Sequence, residues 1–185
     1  MRIIAGRHRG RRLEAPPGAA TRPTADRVRQ ALFDMLWHAP WAGREAVEEA
    51  VVLDAFAGTG ALGLEALSRG AASAYFIEQD RVALGVLRTN ITLCQESTRA
   101  RIMAGDATRP PKMVAACSLV FLDPPYGKEL VPKSVAALGA AGWIAPGALV
   151  IAETGREEAV VLPGYEDVAV REHGAAKVHC FRKEA

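Results

Sequence analysis

Val51-Val52-Leu53-Asp54-Ala55-Phe56-Ala57-Gly58-Thr59-Gly60-Ala61-Leu62-Gly63 decides the fold of this chain. Val51-Val52-Leu53 reads as a short buried strand, and Ala61 to Arg69 reads as a helix closed by Gly70. Between them lies a glycine-rich turn. A strand running through such a turn into a helix is the opening unit of an open α/β sheet, where ligands bind beyond the carboxyl ends of the strands. Gly58 and Gly60 remove side chains where backbone must approach a ligand closely. Gly58-x-Gly60-x-x-Gly63 also matches the dinucleotide fingerprint, which keeps an NAD-dependent oxidoreductase in play. Asp54 weighs against it, since a carboxylate in this turn opposes a pyrophosphate and suits a ligand carrying an ammonium and a sulfonium.

Downstream the alternation continues. Ala74-Tyr75-Phe76-Ile77 is the next strand, with Glu78 at its end where an acid can hold ribose hydroxyls. Asp80 caps a helix with Leu84, Leu87, Ile91 and Cys94 on one face. Strands follow at 100–103, 119–122 and 149–152, with a helix at 133–141 before the last. Gly105-Asp106-Ala107 ends the third strand and places Asp106 to accept an adenine amino group. Strands alternating with helices imply a mostly parallel sheet covered on both faces. The tail breaks the rhythm: Glu166–Glu172, Gly174 and Lys177–Arg182 form an antiparallel edge hairpin.

Upstream, residues 1–23 hold Gly6, Gly10, Pro16, Pro17, Gly18 and Pro23 and read as a small β-rich or hairpin-like arm, leaving 24–185 as the main domain. Thr24 or Asp26 is then expected to cap a helix carrying Val28, Ala31, Leu32, Met35 and Leu36 on one stripe. The 185-residue chain has a net charge of +2, but residues 1–29 carry eight arginines against Glu14 and Asp26, a local +6, so the remainder is −4. A basic arm on a mildly acidic body points to an anionic polymer, and arginine is the cation best shaped for phosphate. The chain is long enough to bury a core without staples. Its three cysteines lie far apart, with no Cys-x-x-Cys pair, so reduced thiols in a cytoplasmic protein are expected and no metal. The first residues lack a signal-peptide core, and no apolar run is long enough for a membrane span.

The chemistry resides in Asp123-Pro124-Pro125-Tyr126, directly after the apolar run Leu119-Val120-Phe121-Leu122. Consecutive prolines fix φ and lack N–H groups, giving a rigid turn. The amino group of guanine or adenine has its lone pair delocalised into the ring. The Asp123 carboxylate and the Pro124 carbonyl can each accept one N–H, drawing the nitrogen toward sp³ geometry. Tyr126 supplies a stacking face. A paired base is out of reach, so the substrate is a loop or a flipped nucleotide.

Asp54-x-Phe56-x-Gly58-Thr59-Gly60 together with Asp123-Pro124-Pro125-Tyr126 resembles the paired signatures of class I amino-methyltransferases. Arg2-Ile3-Ile4-Ala5-Gly6, Gly10-Arg11, Arg22-Pro23-Thr24, Asp26-Arg27-Val28-Arg29 and Ala61–Gly70 are similar to the bacterial 16S rRNA guanine-N2 methyltransferases of the small-subunit methyltransferase D family. The resemblance runs from Arg2 to about Tyr126 and assigns no roles beyond about Ala145. It implies a Rossmann-like, seven-stranded sheet ending in an antiparallel hairpin, and S-adenosylmethionine as cofactor without a metal. Asp54, Phe56, Gly58, Thr59, Gly60, Glu78, Asp106 and Ala107 would line the cofactor site, and Asp123, Pro124, Pro125 and Tyr126 would hold the target amine. Arg7, Arg9, Arg11 and Arg12 would grip 16S rRNA, free or in an assembling 30S subunit, with Arg22 and Thr24 closing over the site. Nothing in the sequence requires more than a monomer. Adenine and protein-amide enzymes of this class more often carry Asn at the first position of the motif, so Asp123 favours guanine. An adenine-N6 or amide methyltransferase, an NAD-dependent oxidoreductase and a non-catalytic RNA-binding module remain the alternatives.

Overall fold

Alternate residues of each central strand face opposite sides of one sheet, and both sides are apolar. Val52, Phe76, Phe121 and Ile151 point to one core. Their neighbours Leu53, Tyr75, Ile77, Val120, Leu122 and Val150 point to the other. Strands buried on both faces are the mark of parallel pairing with helices above and below. In the computed structural model, which describes residues 1–18 and 23–185 and only the backbone of Pro23 and Thr24, the sheet has seven strands.

These are β1 (Val51–Asp54), β2 (Ser73–Glu78), β3 (Ala100–Ala104), β4 (Cys117–Leu122), β5 (Ile144–Gly155), β6 (Tyr165–His173) and β7 (Ala176–Lys183). Their order is β3-β2-β1-β4-β5-β7-β6. The first five are parallel, and β7 is antiparallel to both β5 and β6. The seven-stranded, Rossmann-like sheet with a terminal antiparallel hairpin is the arrangement expected from the sequence. The chain runs outward from β1 to β3 and then returns to lay β4 on the other edge of β1. The carboxyl ends of β1 and β4 therefore flank the switch point at which such sheets bind ligands.

The helices are α1 (Pro23–His38), α2 (Ala61–Ser68), α3 (Arg81–Leu93) and α4 (Leu130–Ala140). Leu32, Phe33 and Leu36 of α1, Leu64 and Leu67 of α2, and Leu87 and Ile91 of α3 share one core. Val131, Val135 and Leu138 of α4 pack with the fully buried Trp143 in the other. Asp80 caps α3 as expected, its carboxylate accepting the Ala83 N–H at 2.8 Å.

Three boundaries differ from the sequence-based expectation. Helix α1 begins at Pro23, so Thr24 and Asp26 lie inside its first turn instead of capping it. Proline suits that position because its φ is already helical and its missing N–H has no intrahelical partner there. Asp26 pairs instead with Arg29 at 3.0 Å. Helix α4 starts at Leu130, tolerating Pro132 for the same reason. Strand β5 is 12 residues long because it runs on through Pro146-Gly147, with a register irregularity against β4 between Cys117 and Leu119.

The N-terminal arm forms a hairpin, with Ile3 N–H donating to Arg11 at 2.9 Å and Gly10 N–H to Ile3 at 2.8 Å. It is docked by buried acids of the main body. Glu65 on α2 is fully buried and accepts the Ile4 and Ala5 N–H groups at 2.8 and 3.0 Å. Glu96 accepts His8 at 2.6 Å and Arg7 at 3.0 Å. Ile3 and Leu13 complete the attachment by entering the core shared with α1 and α2.

Candidate active site

A cavity of about 910 Å³ opens at the carboxyl ends of β1 and β4. That is ample for a cofactor of nucleoside size together with part of a substrate. Its lining joins the two sequence motifs: Asp54, Phe56, Gly58 and Thr59 from the loop after β1, and Asp123 and Tyr126 from the turn after β4. They are neighbours because Asp54 pairs in register with Phe121, so both strands deliver their final residues to the same edge. Helix α1 contributes Arg27, Val28 and Ala31, and the turn of the β6–β7 hairpin contributes His173 and Gly174.

The three loop glycines do different work. Gly58 has φ +53°, and a methyl added there would meet nothing within 4 Å. Its backbone is thus presented bare to the cavity, which is what close approach of a ligand requires. Gly60 also has positive φ, but an added Cβ would lie 2.4 Å from Leu87 Cδ1. At Gly63 the Cβ would lie 2.4 Å from Phe76 Cε1. Gly60 and Gly63 therefore allow α2 to pack against the sheet and α3, and Gly60 does not line the cavity.

Asp54 Oδ2 accepts the Gly63 N–H at 3.0 Å, tying the end of β1 to the first turn of α2. Burial, only partly offset by this bond, pushes its carboxyl up to about 8, and Asp123 and Glu78 add to the rise. Glu78 stands behind the loop: Oε2 accepts Gly58 N–H at 2.8 Å, and Oε1 accepts the N–H groups of Gln79 and Asp80 at 2.8 and 2.7 Å. It holds the backbone of Gly58 and is not on the cavity wall. Asp106 is likewise outside the wall, its Oδ1 accepting from the N–H and hydroxyl of Thr108, both at 2.8 Å. Ala107 is buried in the core on the α4 side.

In the second motif, Pro124 is buried and Pro125 exposed, and neither lines the cavity. Asp123 is open to solvent at the surface of the cavity, yet protein closely surrounds its carboxyl. That desolvation, followed by the charge of Glu153, raises it to about 7. Tyr126 is half-exposed and donates its hydroxyl to Glu153 Oε1. Glu158 braces the turn, its Oε1 accepting Gly127 N–H at 2.7 Å and Gly155 N–H at 3.3 Å. Among the described residues, no cluster of His, Cys, Asp or Glu could hold a metal ion.

The arm arginines are away from the cavity wall. Arg7 pairs with Glu96, and Arg11 donates to the Leu93 carbonyl, so both are partly committed to docking the arm. Arg9 and Arg12 are exposed. Arg22 and the side chain of Thr24 lie outside the described residues.

Glu153, Arg27 and His173 on the wall were given no site role from the sequence, although Arg27 sits in the family-like block Asp26-Arg27-Val28-Arg29. Glu153 had a readable signal: it is the first charged residue after the apolar run Leu149–Ala152, at the carboxyl end of a strand.

Residues 1–182 match the family described as conserved hypothetical protein 95. The chain is 38% identical over 154 residues to ribosomal RNA small subunit methyltransferase D of Escherichia coli strain K12, covering 83% of this chain and 74% of the relative. It is 35% identical over 167 residues to the protein of the same name from Haemophilus influenzae, covering 88% and 83%. The solved structure of yhhF from Escherichia coli superposes with a TM-score of 0.85 at 35% identity, covering 100% of this chain and 98% of the other.

Proposed function

The chain belongs to the small-subunit ribosomal RNA methyltransferase D family, and from that premise we propose that it methylates the exocyclic N2 of a guanine in 16S rRNA, using S-adenosylmethionine. The observation that carries the proposal is the shared cavity, where the bare backbone of Gly58 and the carboxyl of Asp123 line one wall-to-wall space of about 910 Å³.

S-Adenosylmethionine fits the loop side of that space: Gly58 leaves room for a close approach, and Asp54 offers a carboxyl that gives up its proton beside a cationic ligand. When bound, it supplies a methyl carbon on a sulfonium leaving group. Phe56 and Thr59 line the same side. Gly60 and Glu78 shape the loop from behind, while Asp106 and Ala107 stand at the end of β3 beyond the cavity wall.

The chain's part in the chemistry is to prepare the nitrogen. On the wall it is Asp123 that accepts the amine N–H groups, which localises the lone pair; the Pro124 carbonyl lies off the wall and would have to turn toward the base to accept one. Tyr126 stacks on the base, with its tilt fixed by the bond to Glu153. After the N–C bond forms, the surplus proton on nitrogen passes to the Asp123 carboxylate and then to water. An acceptor raised to about 7 is matched to that role near neutral pH. Positioning carries most of the rate, because the leaving group is already activated.

Arg9 and Arg12 are the arm cations we assign to RNA phosphates, with Arg7 and Arg11 adding charge from the docked side of the hairpin. No helix among the described residues is long and apolar enough to cross a membrane. A cytoplasmic monomer acting on 16S rRNA or a 30S particle fits this reading, with the arm hairpin as the RNA-binding unit and 24–185 as the catalytic domain.

The test is transfer of radiolabelled methyl from S-adenosylmethionine to unmodified 16S rRNA and to 30S particles, followed by nucleoside analysis. Label in N2-methylguanosine is the expected result. Label in N6-methyladenosine, or none in either RNA, would overturn the proposal.

A further inference from the structure

Leu122 of β4 and Ala152 of β5 are partners in a parallel register. The next residue on each strand is acidic, Asp123 and Glu153, and both line the cavity. The two carboxyl groups interact, since Glu153 contributes to the raised position of Asp123. One oxygen of Glu153 receives the Tyr126 hydroxyl, while Oε2 has no hydrogen-bond partner among the described residues. The substrate end of the cavity is therefore rich in acceptors, and it holds more of them than an amino group needs.

An exocyclic NH2 has two hydrogens, and the two oxygens of the Asp123 carboxylate on the wall are enough to receive both. A third acceptor beside them needs a third donor on the guest. Guanine has one: its Watson–Crick edge carries N1–H next to the N2 amine. Adenine presents a bare N1 lone pair beside its amine, which would face a carboxylate oxygen without a proton between them. Enzymes that extrude a base read this edge by hydrogen bonds, and a site built to pair a polar group strongly rejects an analogue that lacks it.

We infer that Glu153 is the specificity-determining residue that accepts the N1–H of the target base, so that the cavity admits guanine and refuses adenine-like edges. This rests on the N2-methylation reading above. Tyr126 donates to the other oxygen of the same carboxylate and so holds Glu153 in place, linking the stacking ring to the acceptor. Glu158 fixes both neighbouring backbones, at Gly127 and Gly155, so the spacing between the turn after β4 and the end of β5 is set by protein before any base arrives.

The test uses the full-length enzyme, with the modified nucleotide first mapped on 16S rRNA. Ligated rRNA then carries either guanine or 2-aminopurine at that position. 2-Aminopurine keeps the N2-type amine but has a lone pair at N1. Wild type is expected to favour guanine in kcat/KM by at least about tenfold, the discrimination of a hydrogen-bonding site. In E153Q the amide can donate to the N1 lone pair, so the preference should fall about tenfold or more, with S-adenosylmethionine affinity unchanged. Y126F, which frees Glu153 but leaves it an acceptor, should slow both substrates and weaken the preference for guanine less than E153Q does. An E153Q enzyme that slows both equally would overturn the inference and leave Glu153 as a brace for Tyr126. Wild type that uses 2-aminopurine as well as guanine would overturn it without reference to any variant. Absence of N2-methylguanosine from the wild-type reaction would instead remove the functional reading itself, and the inference with it.

Discussion

Asp54 Oδ2 accepts the Gly63 N–H at 3.0 Å, so the carboxyl at the end of β1 is locked to the start of α2 in a site almost free of solvent. Its carboxyl is raised from 3.8 to about 8, chiefly by burial. A cationic cofactor beside it favours the ionised form, so binding releases a proton. Cofactor affinity should then strengthen as pH rises toward 8, by up to about tenfold per unit. The empty protein should behave in the opposite sense. The folded state holds this proton more tightly than the unfolded chain, so the contribution is fully present below about pH 4 and is lost as pH rises through about 8. Calorimetric titration with S-adenosylmethionine across pH 6–8 checks the first part. An affinity independent of pH would detach Asp54 from the cofactor.

Substitutions at Gly58 and Gly60 are expected to separate binding from packing. G58A costs about 1–2 kcal/mol for a side chain at positive φ, but its methyl projects into open cavity. It should weaken S-adenosylmethionine binding about tenfold or more while lowering Tm only a few degrees. G60A adds a 2.4 Å clash with Leu87 to the same backbone cost and should lose a further 1–3 kcal/mol or so. Thermal melts and binding isotherms of the two variants decide it; a G58A protein with wild-type affinity would contradict the assignment.

Glu65 is the point where the arm is fastened. It is fully buried, accepts Ile4 and Ala5 N–H groups, pairs with Arg69 at 2.8 Å and lies 3.7 Å from Arg29 Nε. Glu65→Ala leaves two largely buried guanidinium groups without their common acid and two amides without acceptors. A loss of about 3–5 kcal/mol follows, with protease cleavage appearing first within residues 1–13. Retained wild-type stability would mean that water replaces the carboxylate.

Arg9 and Arg12 make no ion pair among the described residues, whereas Arg7 is bound to Glu96. Replacing Arg9 and Arg12 with Gln should weaken rRNA binding and reduce the slope of log K against log salt by about 2, one for each lost phosphate contact, without lowering Tm. An unchanged slope would put the RNA on another surface.

The sheet was legible because its signals are local: apolar runs of strand length, glycine turns, and Asp80 as a cap. That Asp54, Gly58, Asp123 and Tyr126 come together on one cavity was legible for the same reason, each lying at or just beyond a strand end. What the sequence hid depends on pairing between distant segments. Nothing near Glu65 or Glu96 announces that these acids are buried, since their partners lie about 60 and 90 residues away in the arm. The difference between Gly58 and Gly60 appears only once Leu87 of α3 is packed beside the loop. Glu153 reads as the polar end of a strand until β5 is laid in register with β4.

The central claim is that one cavity has a cofactor side at Gly58 and an amine side at Asp123. Asp123→Ala tests it most directly, by measuring methyl transfer to 16S rRNA and S-adenosylmethionine affinity on the same preparation. Turnover should fall by at least about a hundredfold, the usual contribution of a positioned acid or base, while cofactor affinity stays within about threefold of wild type. Retained turnover, or a loss of cofactor binding as large as the loss of rate, would contradict the account.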